Sequence, residues 1–275
     1  MPSAVTSQPL IAVGYIEGST GFITIVHDIE LPPAGGYHRK RRQLVQKCRV
    51  LYSEERRTVL APNALECLQR EATIYDRVGR HANIIGYCGM HLLSDGEPSI
   101  RLEYAEQGTV RGYILSHAQK DASIELRTRW ILGAASALTH LHRHNITHCD
   151  ISCRNFLVAQ GILKMADFGA ASIDGDEPTG GEEVRYDLPK RGRKWNDRPT
   201  IKRDIFALGM AIYEIMLWQM PFADLTDGEI ERSYANHIFP DVKALPYGGI
   251  VTKCWREEYD CAQDVLAALN SETPT

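Results

Sequence analysis

Hydrophobic and polar residues alternate along 22–27, with Phe22, Thr24 and Val26 on one face and Ile23 and Ile25 on the other. A period of two predicts a strand, and 10–16 reads as its partner across a glycine turn. Residues 31–36 carry two prolines and two glycines and read as a loop. The period then lengthens. Ala64, Leu68, Ala72, Tyr75 and Val78 recur at helical spacing, and Gly79 stands where a helix would stop. Residues 84–103 read as strand-rich, the apolar positions running on through Ile100, Leu102 and Tyr104. Beyond Gly108 the pattern is helical. A helix over 123–142 places Trp130, Ala134, Ala137 and Leu141 on one stripe, and 204–217 is so apolar that it predicts a helix buried on several sides. Two more helices, near 227–236 and 260–269, close the chain.

A β-rich half followed by a larger helical half predicts an α+β fold in two lobes, 10–106 and 107–270, with flexible tails at 1–9 and 271–275. A cleft between lobes is a preferred place for a ligand. With 275 residues and 44% hydrophobic content, the chain can bury a substantial core. Its net charge of -4 offers no overall attraction for nucleic acid or an acidic membrane. The longest uncharged runs, such as 131–137 and 205–213, are too short to span a bilayer, and 1–9 lacks the basic start and apolar stretch of a signal peptide. Seven scattered cysteines include no C-x-x-C pair, which predicts reduced thiols in a cytoplasmic or nuclear protein that is not secreted. The basic run 38–42 reads as an exposed insert and as a candidate nuclear-localisation patch.

The most specific chemistry lies at His148-Cys149-Asp150-Ile151-Ser152-Cys153-Arg154-Asn155, followed twelve residues later by Asp167-Phe168-Gly169. Apolar Phe156-Leu157-Val158 and Ile162-Leu163-Lys164-Met165 lie between them, as a hairpin turning at Gly161 requires. Such a hairpin holds a carboxylate and an amide before it and a second carboxylate after it, on a stiff base. Phosphoryl transfer asks for such groups: metal ions across the phosphates and a carboxylate near the incoming hydroxyl.

The pattern resembles the eukaryotic protein-kinase family, whose catalytic loop reads H-R-D-x-x-x-x-N and whose metal motif is D-F-G. The resemblance covers roughly 12–269. The details look closest to small fungal kinase-like domains, with Cys after His in the loop and Lys253-Cys254-Trp255 before the last helix. It implies a two-lobed protein-kinase-like fold and transfer of the γ-phosphate of ATP, with Mg2+, to the hydroxyl of an unidentified protein substrate. Asp150 would accept or orient the substrate proton, with Arg154 beside it in the catalytic loop. Asn155 and Asp167 would hold magnesium, Lys47 the phosphates, and Glu71 would position Lys47. His148 and Phe168 would pack together beneath the site. Nucleotide contacts would fall at Ile16, Gly18, Gly21, Ile23, Val45, Lys47, Leu102, Glu103, Ala105, Leu157 and Asp167. Leu102 would be the gatekeeper, and backbone groups of Glu103 and Ala105 would bond the adenine. Asp204-Ile205-Phe206-Ala207-Leu208-Gly209 is similar to the family's D-x-W-S-x-G, where the Asp caps the helix and braces the catalytic loop.

Several positions depart from the family pattern. G-x-G-x-x-G would fall on 16–21, so the first glycine is Ile16 and only Gly18 and Gly21 remain. Two frames compete for the phosphate lysine. One ends a strand at Lys47 and needs a longer connecting loop over 53–62; the other places Tyr52 where the lysine belongs. No A-P-E follows the metal motif; Arg185-Tyr186-Asp187-Leu188-Pro189 occupies its neighbourhood. Ser152 stands where serine/threonine kinases carry Lys, and Arg154 is more like the tyrosine-kinase loop, while general frequency favours Ser/Thr.

Three functions follow: an ATP- and Mg2+-dependent protein kinase, a pseudokinase serving as a nucleotide-binding or scaffolding module, and a small-molecule kinase of the aminoglycoside type. Asp167-Phe168-Gly169 and the 204–209 helix start argue against the third. Cys149 replaces the arginine that pairs with a phosphorylated activation-loop residue in many family members, which removes the strongest partner for a phosphate there. Thr179→Ala and Tyr186→Phe are therefore expected to keep turnover within about threefold in a phosphate-transfer assay; loss of turnover in folded protein contradicts this.

Overall fold

The computed structural model describes residues 15–17, 21–29, 41–49, 51–54, 57–60, 64–93, 96, 98–117, 122–194, 197 and 200–272. The readings at 1–14, at Gly18, over the loop 31–36, at 38–40 and at 273–275 lie outside them. The chain divides into two compact units, residues 1–72 with 86–104, and 73–85 with 105–275.

The first unit is built on strands β1 (Tyr15–Glu17), β2 (Gly21–Ile29), β3 (Arg41–Arg49), β4 (Leu51–Glu54) and β5 (Arg57–Leu60), helix α1 (Ala64–Val78), and strands β6 (Tyr87–Leu92) and β7 (Pro98–Glu103). Five of the strands form an antiparallel sheet in the order β1-β2-β3-β7-β6. Two expectations need correction here. Arg41 and Arg42 open β3, opposite Ile29 and Asp28, so this end of the basic run is part of the sheet and not an insert. The stretch expected as a connecting loop over 53–62 begins in a separate hairpin, β4 against β5, with Tyr52 opposite Val59. The helix predicted at 64–78 is present, and Gly79 follows it at φ 62, the left-handed geometry that lets glycine end a helix. The division between the units falls within α1.

The second unit carries helices α2 (Val110–Ser116) and α3 (Ile124–Arg143) and strands β8 (Ile146–Thr147), β9 (Phe156–Ala159), β10 (Ile162–Met165) and β11 (Ser172–Ile173). A 3-10 turn at Val184–Tyr186 follows, then α4 (Thr200–Leu217), α5 (Asp227–Ala235), α6 (Gly248–Trp255) and α7 (Ala262–Ser271). The α+β class read from the chain is the one observed. Neither α2 nor α6 was expected from the pattern; at seven and eight residues both are too short for a helical period to stand out.

The β9–β10 hairpin turns through Gln160 and Gly161, at φ 52 and 75, the positive pair that matches a two-residue turn to the twist of its strands. Trp130 of α3 donates its indole N–H to the Gly161 carbonyl at 3.0 Å, fixing the hairpin to the helical core. Helix α3 packs against α4, α7 and β10, and α4 against α6. Gly209 permits the last contact, since a Cβ there would lie 2.6 Å from Cys254 Cβ. Residues Arg203 to Met216 of α4 are buried without interruption, as a helix apolar on nearly every face requires. No helix among the described residues is long and apolar enough to cross a membrane.

Candidate active site

In the second unit the chain leaves β8 into the loop predicted to carry chemistry. The backbone N–H groups of His148 and Cys149 both donate to the Asp204 carboxylate, at 2.8 and 2.9 Å, and His142 Nε2 reaches the same carboxylate at 2.9 Å. Burial alone would raise this carboxyl, but the His142 hydrogen bond, the closeness of the His142 ring and the Cys149 N–H outweigh it and hold it below the ordinary range. Asp204 lies inside α4, four residues past its start, so it braces the loop and does not cap the helix as expected. The grip holds Cys149 at φ 61, a left-handed geometry that a side chain resists.

His148 is fully buried, and its ring faces the Ala166 carbonyl through Nε2 at 3.1 Å and the Asp150 N–H through Nδ1 at 3.3 Å. A carbonyl only accepts and an N–H only donates, so the ring is the neutral Nε2–H tautomer. Burial depresses its pKa, in keeping with that form. Phe168 packs edge-on against this ring, centroids 5.4 Å apart, and against Tyr75 of α1 at 4.9 Å.

The three predicted chemical groups of this unit come together. Asn155 Nδ2 donates to the Asp150 carbonyl at 2.7 Å and to Asp150 Oδ2 at 2.9 Å, and the Asn155 carbonyl accepts from Ala166 N at 2.9 Å, one residue before Asp167. Asp167 sits at φ 64, again left-handed. Burial pushes the Asp150 carboxyl up to about 7, and the charge of Asp167 adds to the rise against the pull of Asn155 and Arg154. The donor set suits magnesium. With Nδ2 committed to Asp150, the Asn155 amide oxygen and the Asp167 carboxylate are the hard oxygen donors that could hold such an ion. Among the described residues no three His, Cys, Asp or Glu cluster in a way that could hold a metal ion. Arg154 is half exposed, with Nε 3.7 Å from Glu183.

In the first unit Lys47 and Glu71 meet. Lys47 Nζ donates to Glu71 Oε2 at 2.7 Å, with both side chains buried. The β4–β5 hairpin lies within the 24-position separation of the two residues, and Tyr52, the competing position, lies in that hairpin. Ile16 pairs with Ile23 across β1 and β2, Gly21 opens β2, and Val45 pairs with Leu102 across β3 and β7. Leu102 is buried. Glu103 is tied to Gly86 twice, its N–H to the Gly86 carbonyl at 2.7 Å and its carboxylate to the Gly86 N–H at 3.0 Å. Ala105, in the second unit, accepts from Gly108 N at 3.1 Å, and no described residue accepts from its own N–H. Leu157 sits on β9 opposite Lys164.

Of the residues that order the segment after Asp167-Phe168-Gly169, Thr179 and Tyr186 stand out in the sequence and the others do not. Arg111 of α2 forks onto Glu214 of α4, both contacts at 2.9 Å, and onto Glu183 at 2.8 and 3.0 Å. The Tyr186 hydroxyl is fully buried and donates to Glu214 at 2.5 Å, which leaves no room for a phosphate without opening the fold. Thr179 Oγ1 donates to the Gly169 carbonyl at 2.6 Å, and Arg77 of α1 holds Asp174 through two bonds at 2.7 and 2.6 Å. Where A-P-E is missing, Arg191 and Arg193 both bind Glu257 at 2.9 Å, anchoring the end of the segment. A cavity of about 350 Å³ adjoins it, lined in part by Asp187, Lys190, Arg191, Glu231 and Tyr234, of mixed charge. One signal was legible: Arg203, Asp204 and Glu214 are charges inside an otherwise apolar run, and each needs a partner.

The chain belongs to the protein kinase domain family, whose profile matches residues 36–269. It is 31% identical over 218 residues to mitogen-activated protein kinase kinase kinase 9 of Arabidopsis thaliana, covering 74% of this chain and 27% of that protein. Mitogen-activated protein kinase kinase kinase 1 of Arabidopsis thaliana is 32% identical over 218 residues, covering 74% and 35%. Tyrosine-protein kinase SRK3 of Spongilla lacustris is 26% identical over 215 residues, covering 73% and 63%. The match therefore spans less than two thirds of each of these relatives.

The raised Asp150 carboxyl makes a stability prediction. A carboxyl whose folded pKa is about 7, against an ordinary 3.8, binds more protons when folded, so stability falls as pH rises through that window. Asp150→Asn keeps an acceptor for Asn155 Nδ2 and removes the buried charge. It should melt several degrees above the wild type at pH 8, with the gap closing by about pH 4; equal melting at pH 8 contradicts the shift.

Proposed function

We propose that the chain is an active protein kinase that transfers the γ-phosphate of ATP to a protein hydroxyl, serine or threonine in preference to tyrosine. The observation that carries the reading is the Asp150–Asn155 hydrogen-bonded pair, with Asp167 one residue beyond the backbone bond that Asn155 accepts. The preference for Ser/Thr rests on the general frequency of such kinases; the relatives include both serine/threonine-protein and tyrosine-protein kinases by name.

Each residue has a task its surroundings suit. The Asp150 carboxylate accepts a hydrogen bond from the incoming hydroxyl and takes its proton as the bond from that oxygen to the γ-phosphorus forms. The bond from the γ-phosphorus to the bridging oxygen breaks, with ADP as the leaving group. Asn155 keeps Asp150 oriented through Nδ2 and presents its amide oxygen, with the Asp167 carboxylate, to magnesium. Lys47, held by Glu71, offers its ammonium to phosphate oxygens. ATP would supply the phosphoryl group, and magnesium held by Asn155 and Asp167 would neutralise part of the phosphate charge. Much of the rate then comes from alignment of charged groups in fixed positions, not from a strong base.

The scaffolding alternative drew its support from uncertainty over the lysine, and the buried Lys47–Glu71 pair weakens that support. Radiolabelled phosphate transfer to a generic protein substrate tests the proposal. Asp150→Ala, Asp167→Ala and Lys47→Ala should each lower the rate on the order of 10²–10³-fold. Full activity in Lys47→Ala would remove Lys47 from the mechanism, and a folded wild type that binds nucleotide but transfers nothing would favour a scaffold.

A further inference from the structure

The loop position that carries arginine in many kinases is Cys149, buried and uncharged, yet the segment facing it contains a buried carboxylate. Glu182 and Arg203 form an ion pair at 2.7 Å, with side chains 0% and 3% exposed. Arg203 directly precedes Asp204, whose carboxylate accepts the Cys149 N–H at 2.9 Å, so the guanidinium enters from α4 next to the loop position that lacks one. Both charges act on the Cys149 thiol, although burial is the main cause that pushes its pKa up to about 12. The next residue, Glu183, is bound by Arg111 of α2, so adjacent carboxylates are pinned by arginines of two helices.

We propose that Glu182 and Arg203 are positioning residues: their buried ion pair does for the segment 176–187 what a phosphorylated residue and a loop arginine do in other kinases. The pair is built from genetically encoded charges and exists without modification, so this segment is ordered as soon as the chain folds. The inference rests on the kinase reading for its effect on turnover, but the ordering of the segment does not depend on turnover. Arginine suits the task because its charge persists at any physiological pH, and one guanidinium N–H donates to Glu182 Oε2 at 2.7 Å. Burial pushes the Glu182 carboxyl up to about 7 against the pull of Arg203, so the pair is best read at pH 8, where the carboxylate is charged.

Hydrogen–deuterium exchange at pH 8 on the full chain, treated with phosphatase until mass spectrometry finds no phosphate, reads the ordering directly. The wild type and E182D should protect 176–187, whereas E182Q should exchange there at least tenfold faster while α3 keeps wild-type rates. Should E182Q not fold, E182A/R203A carries the same expectation, because it leaves no unpaired buried ion. Fast exchange of 176–187 in the phosphate-free wild type, or wild-type protection in the folded variant, overturns the proposal. In a parallel transfer assay the variant should lose about tenfold in kcat with KM for ATP unchanged, and phosphatase should leave wild-type kcat unaltered; a tenfold fall on phosphatase treatment also overturns it. Absence of transfer in every form, with the exchange pattern as expected, would instead sink the kinase reading and leave the ion pair's ordering role standing.

Discussion

Helix α4 runs from Arg203 to Met216 without solvent exposure, and three of those buried residues, Arg203, Asp204 and Glu214, are charged. Leaving such a charge without its partner costs about 3–5 kcal/mol, so each draws a specific element onto the helix. Asp204 takes the backbone of His148 and Cys149, Glu214 takes Arg111 and the Tyr186 hydroxyl, and Arg203 takes Glu182. The catalytic loop, helix α2 and the segment after Asp167-Phe168-Gly169 are thus set against one apolar rod. Asp204 and Glu214 stand ten residues apart on it, about 15 Å at the helical rise.

That arrangement explains how unfavourable backbone is maintained at the site. Cys149 and Asp167 both sit at positive φ without being glycine. Strain of this kind persists only where neighbours over-determine the conformation. At Cys149 the neighbour is the Asp204 carboxylate. Near Asp167 it is the pair of bonds that Ala166 makes, its N–H to the Asn155 carbonyl and its carbonyl to His148 Nε2, together with the packing of Phe168 between His148 and Tyr75. The Lys47–Glu71 pair of the first unit follows the same rule, a buried cation and anion each satisfying the other.

What was legible beforehand follows the range over which each signal acts. The strands, the long helices and the Asp150–Asn155–Asp167 spacing are local patterns, and local patterns survive in one dimension. Lys47 was ambiguous because the separation from Glu71 was read as loop length, whereas a separate hairpin, β4–β5, lies within it. The partners of Arg111, Glu182 and Glu257 were invisible for a different reason: ion pairs 21 to 103 residues apart leave no periodic trace. Charges embedded in the apolar 203–216 run did announce that partners exist, without naming them. Asp204 was recognised as a brace but misassigned as a cap, since the helix starts four residues earlier than its apolar stretch, at Thr200.

The central claim is that Asn155 and Asp167 form a magnesium-dependent grip on a nucleotide. Calorimetric titration of ATP into the full chain, with magnesium and with a chelator, for the wild type and for Asp167→Asn, tests it most directly. The account predicts that binding in the wild type weakens at least tenfold when magnesium is removed, and that Asp167→Asn binds equally weakly in both conditions. Wild-type affinity indifferent to magnesium, or unchanged by Asp167→Asn in its presence, would contradict it.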